Sequence, residues 1–361
     1  NKTVGVSDSD ANTKLNNALS NPECILLYSA ILFFWLRSVF GFVEFLALGS
    51  FFGICIFLIK SLNIYTLNFT VASFIALLLF FIGYVILFLN NTFSFGLSFL
   101  PQVIGALGVS WSIYTKGIGK RFILLLTLFS FFLFFFGIFG LGLKEGEIFA
   151  NSRNHVSVLF LNLTILFLIS TRYENRLNQK YTITFLVFTT FFASIVAVGI
   201  SGVLSSLILL TMILYYQSTL KQNYIMYISS LLLIILAIYF WEVLIQSGYL
   251  HKELIGKIDF ELLISENMRY TIWSEYIKSI DLIRFFTGAN LGEEYAGFNN
   301  LLSSYLLLHA RVGFIAFIFY FFFLLSLIKL FTLDKVLFSG LLVLLIRAFS
   351  DTTFLSGSPF D

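Results

Sequence analysis

The chain has 361 residues, of which 59% are hydrophobic and 11% charged, with a formal net charge of +3. A soluble fold of that length could not cover so much apolar surface, so a soluble globular enzyme is excluded. The positive excess sits in breaks between apolar runs and forms no basic stripe, which argues against a nucleic-acid partner.

Residues 1–22 are polar and lack the basic and apolar regions of a cleaved signal peptide. The sequence begins without Met, so it is expected to be a fragment at its start. Asp8-Ser9-Asp10 reads as a flexible acidic turn. From Cys24 to Ala348, runs of Phe, Leu and Ile long enough to cross about 30 Å of hydrocarbon recur. They predict an all-α, polytopic transmembrane helix bundle of about eleven spans. The spans fall near 23–37, 39–59, 68–89, 94–114, 121–141, 155–171, 182–198, 200–216, 224–245, 303–328 and 334–349. The layout is a membrane bundle over 23–245, an external loop with an amphipathic helix over 246–302, the last two helices over 303–349, and an external tail over 350–361. Cys24 and Cys55 read as small buried hydrophobes with no disulfide.

Charge orients the spans. With residue 1 inside, every second loop is basic: Lys60; Lys116, Lys120 and Arg121; Arg172, Arg176 and Lys180; Lys221; Lys329 and Lys335. Lysine supplies most of that charge, whereas Arg37, Arg153, Arg269, Arg284, Arg311 and Arg347 fall on or near the outer face. A guanidinium fork suits phosphate and carboxylate oxygens, so the clustering predicts anion recognition on that face. The competing account is arginines at span ends reaching lipid phosphates. Glu44 inside the second span needs a partner.

Within the long loop, Ile264 to Phe286 predicts one amphipathic helix with the stripe Met268, Ile272, Tyr276, Ile280 and Ile283, closed by Thr287-Gly288. It would rest on the bundle mouth or on the membrane surface. Tyr270, Trp273 and Tyr295 are candidates to stack on sugar rings, and Asn299 and Asn300 offer amide donors and acceptors; interfacial aromatics also occur without ligands. Arg311 is the sharpest single signal, because it lies inside the apolar run Tyr305 to Leu330, where an arginine is costly without a cavity, partner or water. His309, two residues earlier, is either functional or a satisfied packing histidine. His155, His251 and His309 are too scattered for a zinc motif, and there is no Gly-rich phosphate loop or nucleophile elbow. No metal and no cofactor are expected.

Three stretches resemble the O-antigen polymerase and O-antigen ligase superfamily. Gly199-Ile200-Ser201-Gly202, followed by Val-Leu-Ser-Ser, resembles its Gly-Arg-Ser-Gly helix entrance. Arg269 to Trp273, then Leu282 to Gly288, resembles its Arg-x-x-x-Trp segment with an aromatic-x-Gly turn. Asn299-Asn300 through Arg311-Val-Gly313 resembles the polar gate and Gly-containing span that follow. Ile200 stands where the first motif usually has arginine, and Asn299 where a histidine is often found.

The resemblance implies a multi-pass glycosyltransferase of the bacterial inner membrane, with its active site facing the periplasm. It would polymerise undecaprenyl-diphosphate-linked repeat units with inversion and without metal, in O-antigen, lipopolysaccharide or related polysaccharide biosynthesis. Arg269, Arg311 and His309 are then the catalytic candidates, and Arg153, Arg284 and Arg347 further diphosphate-binding candidates. The general base stays open among Glu266, Asp281, Glu293, Glu294 and His309. Expected partners are the lipid-linked glycans, membrane lipids, a chain-length regulator and a flippase. The rivals are a ligase transferring glycan to lipid A core, a polysaccharide or solute transporter, and a noncatalytic scaffold; no convincing internal repeat supports transport.

Overall fold

The computed structural model describes residues 22–62, 82, 85, 93–143, 148–149, 153–171, 179–197, 200–217, 266–289, 293–297, 301 and 303–350. The span expected near 68–89 apart from Ile82 and Val85, the span near 224–245, the head to Asn21, the loop through Ser265, Phe298 to Asn300, and the tail from Asp351 lie outside them.

The described residues are helical, with no β-strand among them, as hydrocarbon requires when every backbone N–H must find its acceptor within the chain. In chain order the helices are α1 (Pro22–Phe40), α2 (Val43–Leu62), α3 (Phe93–Lys116), α4 (Lys120–Phe135, extended by a π turn over Phe136–Gly140), α5 (Arg153–Ser170), α6 (Lys180–Val196) and α7 (Ile200–Gln217). Then come α8 (Glu266–Ser279), α9 (Leu282–Thr287), α10 (Ser304–Val312), α11 (Ile315–Leu333) and α12 (Lys335–Ser350). Four stretches, Pro22–Phe40, Val43–Ser61, Lys120–Gly140 and Ile315–Leu333, are long and apolar enough to cross a membrane, and the chain is a polytopic helical membrane protein.

The packing fixes helix directions. Gly53 lies against Gly105 and Gly108, while Phe57 meets Trp111 edge-on, so α2 and α3 run parallel. Their backbones touch: a Cβ on Gly53 would sit 2.3 Å from the Gly105 carbonyl oxygen. Small residues permit such approach where apolar side chains gain nothing by leaving lipid. Tyr28 accepts from the Gly119 amide at 3.1 Å and Trp35 donates to Ser130 at 2.7 Å, which sets α4 parallel to α1. The bundle core runs through Phe34, Phe134, Phe160, Leu186, Leu209 and Val343.

One end of the bundle is pinned by Glu23. Its carboxylate meets Lys60 at 2.8 Å and Lys116 at 2.9 Å, and it accepts from Ser112 at 2.9 Å, tying the start of α1 to the ends of α2 and α3. Because α4 leaves this end and α5 returns toward it, the starts of α5 and α7 and the finish of α12 lie at the opposite end. Lys335, at the start of α12, stands over the Tyr216 ring near the end of α7, on the Glu23 side. The lysine side and the arginine side inferred from charge alternation are thus opposite ends of the described helices.

Glu44 stands exposed in the first turn of α2, where the helix dipole favours a carboxylate, at the start of the Val43–Ser61 stretch. Two expectations change. The helix expected over 264–286 is two, because the Asp281 side chain accepts the Arg284 amide at 2.7 Å and caps a new start. The span expected over 303–328 breaks at Gly313, whose φ of 56° ends α10 before α11 begins. At nine residues α10 is roughly 13 Å long, too short to cross.

Candidate functional site

At the arginine end, α12 delivers Arg347, 3% exposed, between the beginnings of α5 and α7. Its Nη2 donates to Ser157 Oγ at 2.9 Å. Gly202, which closes the Gly199–Gly202 stretch, faces the same pair: a Cβ there would lie 2.4 Å from Ser157 Oγ and 3.2 Å from Arg347 Nη1. Only a residue without a side chain leaves room for the guanidinium at this crossing. Three segments distant in sequence therefore meet, one at the helix entrance that carries a resemblance. Arg153 opens α5 one turn before Ser157.

Beside this cluster, Tyr305 on α10 donates to the Leu345 carbonyl on α12 at 2.8 Å. Arg311, 7% exposed, is on the last turn of α10, where a cation also faces the negative end of the helix dipole. It is not embedded in a continuous membrane-crossing helix, as the sequence predicts. The signal for the difference is the Gly313 that follows it.

The loop helices and α10 form one packed unit around Ile272, Tyr276, Ala289, Tyr295, Leu301 and Ala310. Trp273 donates from Nε1 to the Leu301 carbonyl at 2.7 Å. The Ala289 amide donates to the Ala310 carbonyl at 2.9 Å and the Phe314 amide to the Phe286 carbonyl at 3.3 Å. Gly288 and Gly313 make this crossing, since a Cβ on either would fall 2.3 Å or 2.1 Å from a backbone oxygen of the other strand of chain. Thus the predicted amphipathic stripe is used within the protein at Ile272 and Tyr276, while Ile283 is 71% exposed.

His309 is held on both ring nitrogens. Nε2 lies 3.3 Å from the Phe285 carbonyl, which can only accept, and Nδ1 lies 2.7 Å from the Tyr276 hydroxyl. The proton is therefore assigned to Nε2, and Nδ1 accepts from Tyr276. Burial pushes the imidazole below its ordinary value, with the Phe285 carbonyl working the other way. Burial also pushes the Tyr276 phenol far up, so both groups stay neutral. This satisfied ring ties α10 to α8 and α9.

Arg284 and Glu293, each a sequence candidate, are engaged with one another at 2.9 and 3.2 Å. Tyr295 donates to the same carboxylate at 2.8 Å, and its phenol is pushed up by burial and by that hydrogen bond. The Tyr295 ring is buried edge-on against Tyr276, and Trp273 is half-buried. Arg269 and Tyr270 lie in the first turns of α8, and Asn299 and Asn300 are outside the described residues. Ser157 and Tyr276 were not singled out as site residues by sequence; the cue for Ser157 was one hydroxyl within His155-Val156-Ser157-Val158.

The chain matches no family model, no curated protein and no solved structure.

Proposed function

We propose that this chain is an inverting glycosyltransferase of a bacterial inner membrane, with about eleven spans and its arginine end facing the periplasm. It would polymerise undecaprenyl-diphosphate-linked oligosaccharide repeats into O-antigen or a related surface polysaccharide. The observation that carries this reading is the meeting of Arg347, Ser157 and Gly202 at one buried point. It joins a helix entrance like that of the polymerases to an arginine on the last helix, beside α10 with Arg311.

In this mechanism, an acceptor sugar hydroxyl attacks the anomeric carbon of the donor glycan from the face opposite its diphosphate. The new glycosidic C–O bond forms as the bond to the phosphate oxygen breaks, the acceptor proton leaves, and undecaprenyl diphosphate departs. Two tasks fall to the protein: to hold charge building on the diphosphate and to position the acceptor. Arg347 and Arg311 serve the first, with Arg269 and Arg153, in the first turns of α8 and α5, as further candidates. Arg284 would act only if a phosphate displaced Glu293. His309, with both nitrogens occupied, acts as a positioning residue for α10, and the general base is sought among the loop acids.

The test is reconstitution with defined lipid-linked repeats. Arg347→Gln and Arg311→Gln, at unchanged membrane abundance, should abolish long chains and leave single repeats on the carrier. Transfer of glycan to added lipid A core by the unaltered chain, with no lengthening of carrier-linked repeats, would instead favour the ligase, and unaltered products from the variants would remove these arginines from the reaction.

A further inference from the structure

A second feature lies on the outside of the loop unit. At about 3.6 residues per turn, Leu282, Phe286 and Ile283 share an arc of α9 about 100° wide. They are 75%, 51% and 71% exposed. The same spacing puts Arg284 on the opposite side of the helix, where it is engaged with Glu293. Phe285 turns its ring toward His309, 6.2 Å away. On α8 the described exposed residues, Ile277 apart, are Thr271, Glu275 and Lys278. The apolar face thus belongs to α9 and has its charge pair behind it.

That face runs on into the lipid-facing side of α11. The Phe286 ring lies 5.7 Å from Phe314 and the Phe285 ring 5.5 Å from Phe317, and Phe314, Phe317 and Phe321 are themselves exposed. Only 11% of the apolar stretch of α11 is buried inside the protein, so most of its surface meets acyl chains. Its 19 residues span about 28 Å, close to the hydrocarbon thickness. Its finish leads directly into Lys335 on the Glu23 side, so its start stands at the arginine end. The Phe314 amide, just before that start, donates to the Phe286 carbonyl at 3.3 Å, which places α9 at the hydrocarbon boundary.

We propose that α9 is sunk into the headgroup and acyl boundary of the leaflet at the arginine end, with Leu282, Ile283 and Phe286 among the acyl chains. A contiguous apolar patch facing water is costly, and the leaflet that covers α11 extends to cover this one. An apolar face down with charge behind it is the posture of an interfacial helix. The Ala289 amide also donates to the Ala310 carbonyl, at 2.9 Å, so a lipid hold on α9 is equally a hold on α10 beside Arg311. This placement needs no lipid-linked glycan, and it stands or falls separately from glycosyl transfer.

The experiment reconstitutes the full chain in vesicles of palmitoyl-oleoyl phosphatidylcholine. On a background of Cys24→Ala and Cys55→Ala, which removes both cysteines, single nitroxide labels are attached at Ile283→Cys, Phe317→Cys and Lys278→Cys, all exposed positions. Electron paramagnetic resonance then reads collision with oxygen, which concentrates in hydrocarbon, against collision with a water-soluble nickel chelate. The oxygen-to-chelate ratio at 283 should come close to that at 317 and exceed that at 278 several-fold. With the cysteines left intact, benzoylphenylalanine in place of Ile283 should capture phosphatidylcholine on irradiation. Collision at 283 dominated by the chelate would put the patch in water. Shielding from both reagents, or photocapture of a second chain, would put protein on it; either result overturns the proposal.

Discussion

Arg347 reaches Ser157 across 190 residues of sequence, with Nη2 donating to Oγ at 2.9 Å. The contact exists only because Gly202 presents no side chain to it. Gly202→Ala would bring a methyl to 2.4 Å from Ser157 Oγ and 2.5 Å from its Cβ, forcing α7 away from α5 or turning Ser157 aside. In either case the guanidinium moves. Polymer formed from lipid-linked repeats should fall roughly a hundredfold, as when a positioned group shifts by an ångström. Adding Ser157→Gly relieves the clash and should recover thermal stability in detergent, but not the full rate, because the Arg347 hydrogen bond is gone. Recovery of both would make the contact purely a matter of packing.

The α2–α3 crossing makes a different prediction, about folding alone. Gly108 approaches Gly53 so closely that a Cβ would lie 2.0 Å from its carbonyl oxygen, and backbone oxygen cannot swing aside as a side chain can. Gly53→Ala and Gly108→Ala should each cost about 1–3 kcal/mol by overpacking. Thermal unfolding of the purified chain would measure it. Gly49→Ala meets the Phe34 ring instead, which can rotate, so it should cost less; equal losses at all three positions would contradict a backbone-limited crossing.

These two crossings also mark how far the sequence could be read. Apolar run length predicts most of the described helices, because span length is a local property set by the hydrocarbon, and basic alternation predicts which ends lie together. Partners are not local. Nothing near Glu23 announces that its carboxylate will collect Lys60 and Lys116. The joint at Gly313 was legible in principle, since glycine after a basic last turn is a helix stop. It was hidden by the apolar residues that continue on both sides. The loop's stripe of Ile272 and Tyr276 was visible by period, but period cannot distinguish a lipid surface from the α10 side chains that in fact cover it.

Arg284 and Glu293 offer a test that separates structure from substrate binding. The pair is bidentate, but both side chains are 35% exposed, so its coupling should be only about 1 kcal/mol. Arg284→Gln and Glu293→Gln should each loosen the loop slightly, measured as faster amide exchange in α9. The double variant should be little worse than either single one. If Arg284 instead grips diphosphate during turnover, Arg284→Gln will abolish polymer whether or not Glu293 is also replaced, while Glu293→Gln alone will leave polymer formation intact.

His309 should make the same loop sensitive to acid. In the folded chain its imidazole is held neutral below the ordinary value of 6.5 by burial. The unfolded chain therefore binds the proton first. The contribution of this group to stability is complete above about 6.5 and is lost as pH falls from there through the depressed folded value. The proton would enter at Nδ1, the nitrogen that accepts from Tyr276, so the contact between α8 and α10 should open before the bundle does. Amide exchange across Trp273 to Lys278 should accelerate below pH 6 or so while the α1–α3 core stays protected. His309→Gln should flatten that dependence, and Tyr276→Phe should raise exchange at neutral pH yet leave its slope with pH in place. A loop whose exchange follows only the intrinsic chemical rate through this range would show that the imidazole does not hold it.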